Sequence, residues 1–220
     1  MKLGVLISGR GSNMVSIATA CAAPDYPAQV AVVVADTPAA IGLEKAAAMG
    51  LATAIVAPGD FADRGAFEDA LATALADHGV EGVCLAGFMR MLTARVLDRF
   101  PGKVLNIHPS LLPAFPGLDA QKKALDHGVR FSGCTVHFVT EAMDAGPIIL
   151  QAAVPVLGDD DAGSLAARIL EQEHRIYPEA VRLLAEERLR VVGRTVQIAA
   201  APIGEAANST SIDRHRTDRD

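Results

Sequence analysis

Short apolar runs and helical spacings alternate along this chain from its first residues. Leu3 to Ser8 is an apolar run of strand length, followed by a glycine turn over residues 9–13. Met14, Ile17, Ala18 and Cys21 then recur at the three- and four-residue steps of one helix face. Gln29 to Ala35 reads as a second strand, and the alanine-rich helix behind it stops at Met49-Gly50. Thr53 to Val56 is a short third strand. Phe67, Leu71 and Leu75 mark the next helix, closed by Gly79, and Gly82 to Leu85 and Val104 to Ile107 complete five strands. Strands separated by helices predict an α/β fold with a mostly parallel, doubly wound, Rossmann-like sheet.

The second half changes character. Cys134 to Phe138 and Pro147 to Val156 have no helical pattern between them, which predicts an antiparallel C-terminal extension. Asp159 to Ser164 is a polar loop in which Ser164 is expected to cap a long helix through Leu184. Leu189 to Ile198, broken at Gly193-Arg194, reads as a closing hairpin. Residues 1–198 are thus expected to form one domain, and residues 199–220, small and polar, a flexible tail.

Composition narrows the function. Half the residues are hydrophobic but only 4% are aromatic, and the net charge is −6. An acidic chain poor in aromatic platforms argues against nucleic-acid binding, so an anionic substrate must be held by backbone N–H groups or single arginines. No apolar stretch approaches the ~18 residues of a membrane span, and no signal peptide precedes the first strand. Cys21, Cys84 and Cys134 are odd in number and lack metal-ligand spacing, so buried thiols in a reducing, cytoplasmic compartment are expected, without a metal. Oligomeric state stays open, a homodimer being compatible.

The densest chemistry lies in Asn106-Ile107-His108-Pro109-Ser110-Leu111-Leu112-Pro113 and in Asp144 downstream. Residues two apart in a strand point the same way, so Asn106 and His108 project together at a carboxyl end of the sheet. Asp144 reads either as a turn-former ahead of Gly146-Pro147 or as an anion favouring the His108 imidazolium. An amide donor beside such a histidine suits negative charge growing on a carbonyl oxygen while a proton moves nearby. Gly9-Arg10-Gly11-Ser12-Asn13 can cradle an anion at a helix start. Met14 stands where a dinucleotide fingerprint needs a third glycine, so a monophosphate is preferred, with side-chain donors from Ser12 and Asn13, over a nicotinamide dinucleotide; a plain tight turn is the alternative. Asp36 reads as a strand end facing water. His137 and Cys134 read as inward- or outward-facing strand residues rather than ligands, and His78, His127 and His174 as capping or solvated groups.

Taken together, these motifs resemble the folate-dependent phosphoribosylglycinamide formyltransferases of purine biosynthesis over roughly Leu3 to Val192. The resemblance rests on residues 8–13, residues 85–92 (Leu85-Ala86-Gly87-Phe88-Met89-Arg90-Met91-Leu92), residues 106–113, residues 136–140 and residues 144–148. It implies a catalytic trio of Asn106, His108 and Asp144, and a substrate phosphate at Gly11, Ser12 and Asn13. It also implies that Glu173 contacts the glycinamide. Its co-substrate, 10-formyltetrahydrofolate, is expected against Met89, Arg90, Met91, Leu92 and Asn106, with Arg64 near its far end. The implied reaction is direct attack of the substrate amine on the formyl carbon, through a tetrahedral intermediate. Many relatives carry histidines near Leu118-Asp119-Ala120-Gln121, where this chain has none. A formyltetrahydrofolate deformylase is the alternative activity. It and a methionyl-tRNA formyltransferase are disfavoured by expected extra domains, and a non-catalytic ligand-binding protein remains the third reading.

Overall fold

Nine strands form from the apolar runs, and all of them join one sheet in this computed structural model, which describes residues 1–200. The predicted tail lies, from residue 201 onward, outside the described residues. In chain order the elements are β1 (Lys2–Ile7), α1 (Ser12–Cys21), β2 (Gln29–Ala35), α2 (Gly42–Ala48), β3 (Thr53–Ile55), α3 (Arg64–Asp77), β4 (Gly82–Leu85), α4 (Ala94–Leu97) and β5 (Val104–His108). They continue with α5 (Ala120–Asp126), β6 (Phe131–Phe138), β7 (Ile148–Pro155), α6 (Ala162–Ala185), β8 (Leu189–Val192) and β9 (Thr195–Ile198).

The strand order is β3-β2-β1-β4-β5-β6-β7-β9-β8. The first five strands pair in parallel, β5–β6 and β6–β7 are antiparallel, and β7–β9 is parallel. The chain reverses its winding between β1 and β4, and such a switch point opens a crevice beyond the carboxyl ends of the strands. Alternate strand residues face two different layers. Val5, Ile7, Leu105, Ile107 and Val136 pack with residues of α1 and α6, whereas Leu6, Val83, Leu85 and Val104 pack with residues of α3 and α4.

The long helix α6 begins differently from expectation. Asp161, not Ser164, is its N-cap: its carboxylate accepts the Ser164 N–H, and the Ser164 hydroxyl accepts the Asp161 N–H. Both residue types cap well, and reciprocal bonding across three residues puts the first at the cap. Leu165, Ile169, Ile176, Tyr177, Ala180, Val181 and Leu184 form its buried stripe. Pro178 lies inside this helix and has no N–H to offer the His174 carbonyl one turn back. The Ser16 hydroxyl of α1 donates to that carbonyl instead, at 2.8 Å, fastening α1 to α6. On the same face, the buried Tyr177 hydroxyl lies 3.0 and 3.1 Å from the Leu85 and Leu105 carbonyls, bridging β4 and β5.

Candidate active site

Helices α3 and α4 reach Val104 at the start of β5 but not Asn106, His108 or His137, and a cavity of about 420 Å³ lies over these three. Asn106 and His108 both line it, as their two-residue spacing requires. The loop after β6 folds back over this face and brings Asp144 into it. Asp144 Oδ2 lies 3.3 Å from His108 Nδ1 and accepts the Gly117 N–H at 2.7 Å. Asp144 holds a left-handed backbone (φ 49°), a conformation that aspartate tolerates better than most side chains. His108 Nε2 lies 2.9 Å from the Phe115 carbonyl. A carbonyl only accepts, so Nε2 carries a proton, and the second ring nitrogen faces a carboxylate. Both ring nitrogens thus face oxygen acceptors.

His137 is a strand residue facing inward, and it sits directly across from Asn106 in the antiparallel β5–β6 pairing. Its Nε2 lies 3.2 Å from Asn106 Nδ2 and 3.7 Å from Asp144 Oδ1. Cys134, by contrast, points into the other layer, where burial pushes its thiol up to about 12. Ser110 is fully buried and its hydroxyl donates to the Ala114 carbonyl, so it presents no nucleophile. Among the described residues, no three His, Cys, Asp or Glu side chains cluster as metal ligands.

Residues 87–92 form an irregular segment along the cavity, just ahead of α4. Phe88 and Leu92 are buried, while Met89 and Met91 are 65% and 38% exposed at the rim. Side chains from three elements grip this segment. The Ser8 hydroxyl accepts the Met89 N–H, and Arg64 Nη2 donates to the Met91 carbonyl at 2.8 Å. The buried Glu68 accepts from Arg64 with one oxygen and from the Thr93 N–H and hydroxyl with the other. Arg90 Nε lies 2.8 Å from Asp36 Oδ2, and its guanidinium sits over the Phe67 ring. Asp36 is therefore 7% exposed rather than facing water. Its partner comes from a loop 54 residues away, which no local pattern announces.

At the switch point, Gly11 is the N-cap of α1 with φ 68°. A Cβ there would meet the Gly42 Cα at 2.8 Å, so only glycine allows the two backbones to approach. The loop is fixed by Gly42 N–H donating to the Gly9 carbonyl and Lys45 Nζ to the Arg10 carbonyl. The N–H groups that open α1, at Ser12 and Asn13, precede the first intrahelical bond, Val15 N–H to the Gly11 carbonyl. Ser12 begins this turn as expected. The Asn13 side chain, expected to join it, turns inward: Nδ2 donates to Glu173 Oε2 at 2.6 Å, and both residues are buried. Burial raises the Glu173 carboxyl above its ordinary range, against the lowering effect of the Asn13 bond.

A family model described as "Formyl transferase" matches residues 1–181. The chain is 45% identical to the trifunctional purine biosynthetic protein adenosine-3 of Drosophila melanogaster over 83% of this chain, and spans only 14% of that longer protein. It is 41% identical to the phosphoribosylglycinamide formyltransferase of Escherichia coli (strain K12), over 87% of this chain and 90% of that one. A solved structure of glycinamide ribonucleotide transformylase 1 from Symbiobacterium toebii superimposes with a TM-score of 0.89 at 54% identity, covering 91% of this chain and 94% of the other.

Proposed function

The chain belongs to the formyl transferase family, and from that premise we infer that it is a phosphoribosylglycinamide formyltransferase. It moves the formyl group of 10-formyltetrahydrofolate to the amine of phosphoribosylglycinamide, a step of purine biosynthesis. One observation carries the reading: Asp144, distant in sequence, converges with Asn106 and His108 in one cavity.

The residues fit both substrates. Met89, Met91 and Leu92 offer an adaptable apolar wall for a flat pterin, with Arg64 and Arg90 as the basic groups beside it. The open N–H groups of Ser12 and Asn13 and the Ser12 hydroxyl suit the substrate phosphate, and Glu173 suits the glycinamide end. In the transfer, the amine attacks the formyl carbon and the folate nitrogen departs with a proton. Asn106 Nδ2–H and His108 Nε2–H donate to the oxygen on which charge develops, His108 exchanging the Phe115 carbonyl for it. The Asp144 carboxylate, beside Nδ1, takes the proton released by the amine and passes it on to the departing folate nitrogen, which regenerates the carboxylate.

We propose the cytoplasm as the compartment, in keeping with the three free thiols; no helix among the described residues is long and apolar enough to cross a membrane. Residues 1–198, joined in one sheet, act as a single catalytic domain, and a homodimer is the assembly to test by sedimentation.

The deciding experiment follows loss of formyl groups from 10-formyltetrahydrofolate with and without phosphoribosylglycinamide. Turnover that requires the amine, with formylated glycinamide as product, supports the transferase. Equal turnover without it means hydrolysis, the deformylase activity. No turnover under either condition refutes both.

A further inference from the structure

His137 is buried, belongs to neither the proposed catalytic trio nor the phosphate loop, and yet touches two members of the trio. Its bonds fix its tautomer. Nδ1 lies 2.9 Å from the Phe138 carbonyl, which can only accept, so the proton is on Nδ1. Burial lowers the ring below the ordinary histidine range, outweighing the Phe138 carbonyl and the Asp144 charge, which favour the cation; nearby His108 adds to the lowering. At neutral pH the ring is uncharged and Nε2 keeps its lone pair. Only the NH₂ of the Asn106 carboxamide can then face it at 3.2 Å.

Resting on the transferase reading, we propose that His137 is a positioning residue: its unprotonated Nε2 accepts one Asn106 Nδ2–H and so aims the other at the reacting carbonyl oxygen. A carboxamide left to itself can present oxygen or nitrogen to the cavity with little difference in shape. Presenting oxygen would set a lone pair against developing negative charge, the reverse of what the reaction needs. The antiparallel pairing of Asn106 with His137 removes that choice before any ligand arrives. The titratable groups facing His137 are Asp144 and His108, and the 3.7 Å to Asp144 Oδ1 suits an unprotonated Nε2 that makes no ion pair.

Two variants separate aiming from packing. His137→Leu removes the acceptor, and His137→Gln restores one, through its amide oxygen, on an uncharged side chain. Misaiming a catalytic donor costs up to about 10²-fold, so His137→Leu should lower kcat by roughly 10- to 100-fold with KM little changed. His137→Gln should stay within about threefold of the parent. In an Asn106→Ala background there is no amide to aim, and adding His137→Leu should cost less than about threefold. Equal losses for Leu and Gln, or a full multiplicative loss in the Asn106→Ala background, overturn the proposal.

The unsubstituted protein offers a test that needs neither variant folding nor activity. ¹⁵N-histidine NMR at neutral pH should report His137 as the Nδ1–H tautomer; an Nε2–H tautomer or an imidazolium overturns the proposal. If formyl transfer itself is absent, the transferase reading fails, and the tautomer still decides whether His137 holds Asn106 as described.

Discussion

Replacing Asp144 with asparagine changes the charge of this site and almost nothing of its shape. The asparagine oxygen can still accept the Gly117 N–H that Asp144 takes at 2.7 Å, so the loop over the cavity keeps its anchor. What disappears is the anion 3.3 Å from His108 Nδ1, in a pair only 7% and 11% exposed. Hydrogen bonds to charged groups contribute about 1.5–3 kcal/mol net, which is a loss of roughly 10- to 100-fold in rate if the bond matters in the transition state. A further factor, up to about 10²–10⁴, appears if Asp144 also receives the proton. Single-turnover formyl transfer, quenched and resolved by chromatography, separates these terms from binding. We expect kcat to fall at least tenfold while the enzyme still saturates at ordinary substrate concentrations. A rate within threefold of the parent would refute the role of the charge.

Other outcomes follow from the same contacts. Glu173→Gln keeps the bond to Asn13 but removes a buried acid whose pKa is raised by burial. Such a group contributes stability below its unfolded pKa and loses it as pH rises through the raised folded value. The variant should therefore gain thermal stability over the parent at neutral pH while its KM for the glycinamide rises; no gain at pH 7.5 in a melting scan would contradict the assignment. Asp36→Asn weakens the hold on Arg90, so KM for the folate should rise several-fold with kcat little changed, as steady-state kinetics would show. Ser16→Ala strips the His174 carbonyl of its donor, which costs about 1–3 kcal/mol. Calorimetry should show Tm lowered by a few degrees with activity intact.

Features carried by local periodicity were legible in the sequence, and those carried by pairing across the fold were not. Strand runs and glycine stops located every strand, and the two-residue spacing aimed Asn106 and His108 the same way. The meaning of His137 depends on the register between β5 and β6, since a shift of one residue would send it to the opposite layer. Asp36 acquires its role from Arg90, in a loop that obeys no period. Glu173, expected from the resemblance, was also legible from periodicity: it lies four residues after Ile169 and three and four before Ile176 and Tyr177, on the stripe that α6 buries. A carboxylate on such a stripe needs a partner, and Asn13 is that partner.

The uncovered stretch of β5 and β6 also bears on the thermodynamics of ligand uptake. One side of the sheet carries helices along its length, while on the other the helical cover ends before Asn106, His108 and His137. A molecule in the cavity therefore does what a helix does elsewhere, removing sheet surface and the Met89 and Met91 side chains from water. Titration calorimetry of the folate at several temperatures should accordingly show a clearly negative heat-capacity change. A co-substrate bound there would finish a layer of the protein that the chain leaves half built.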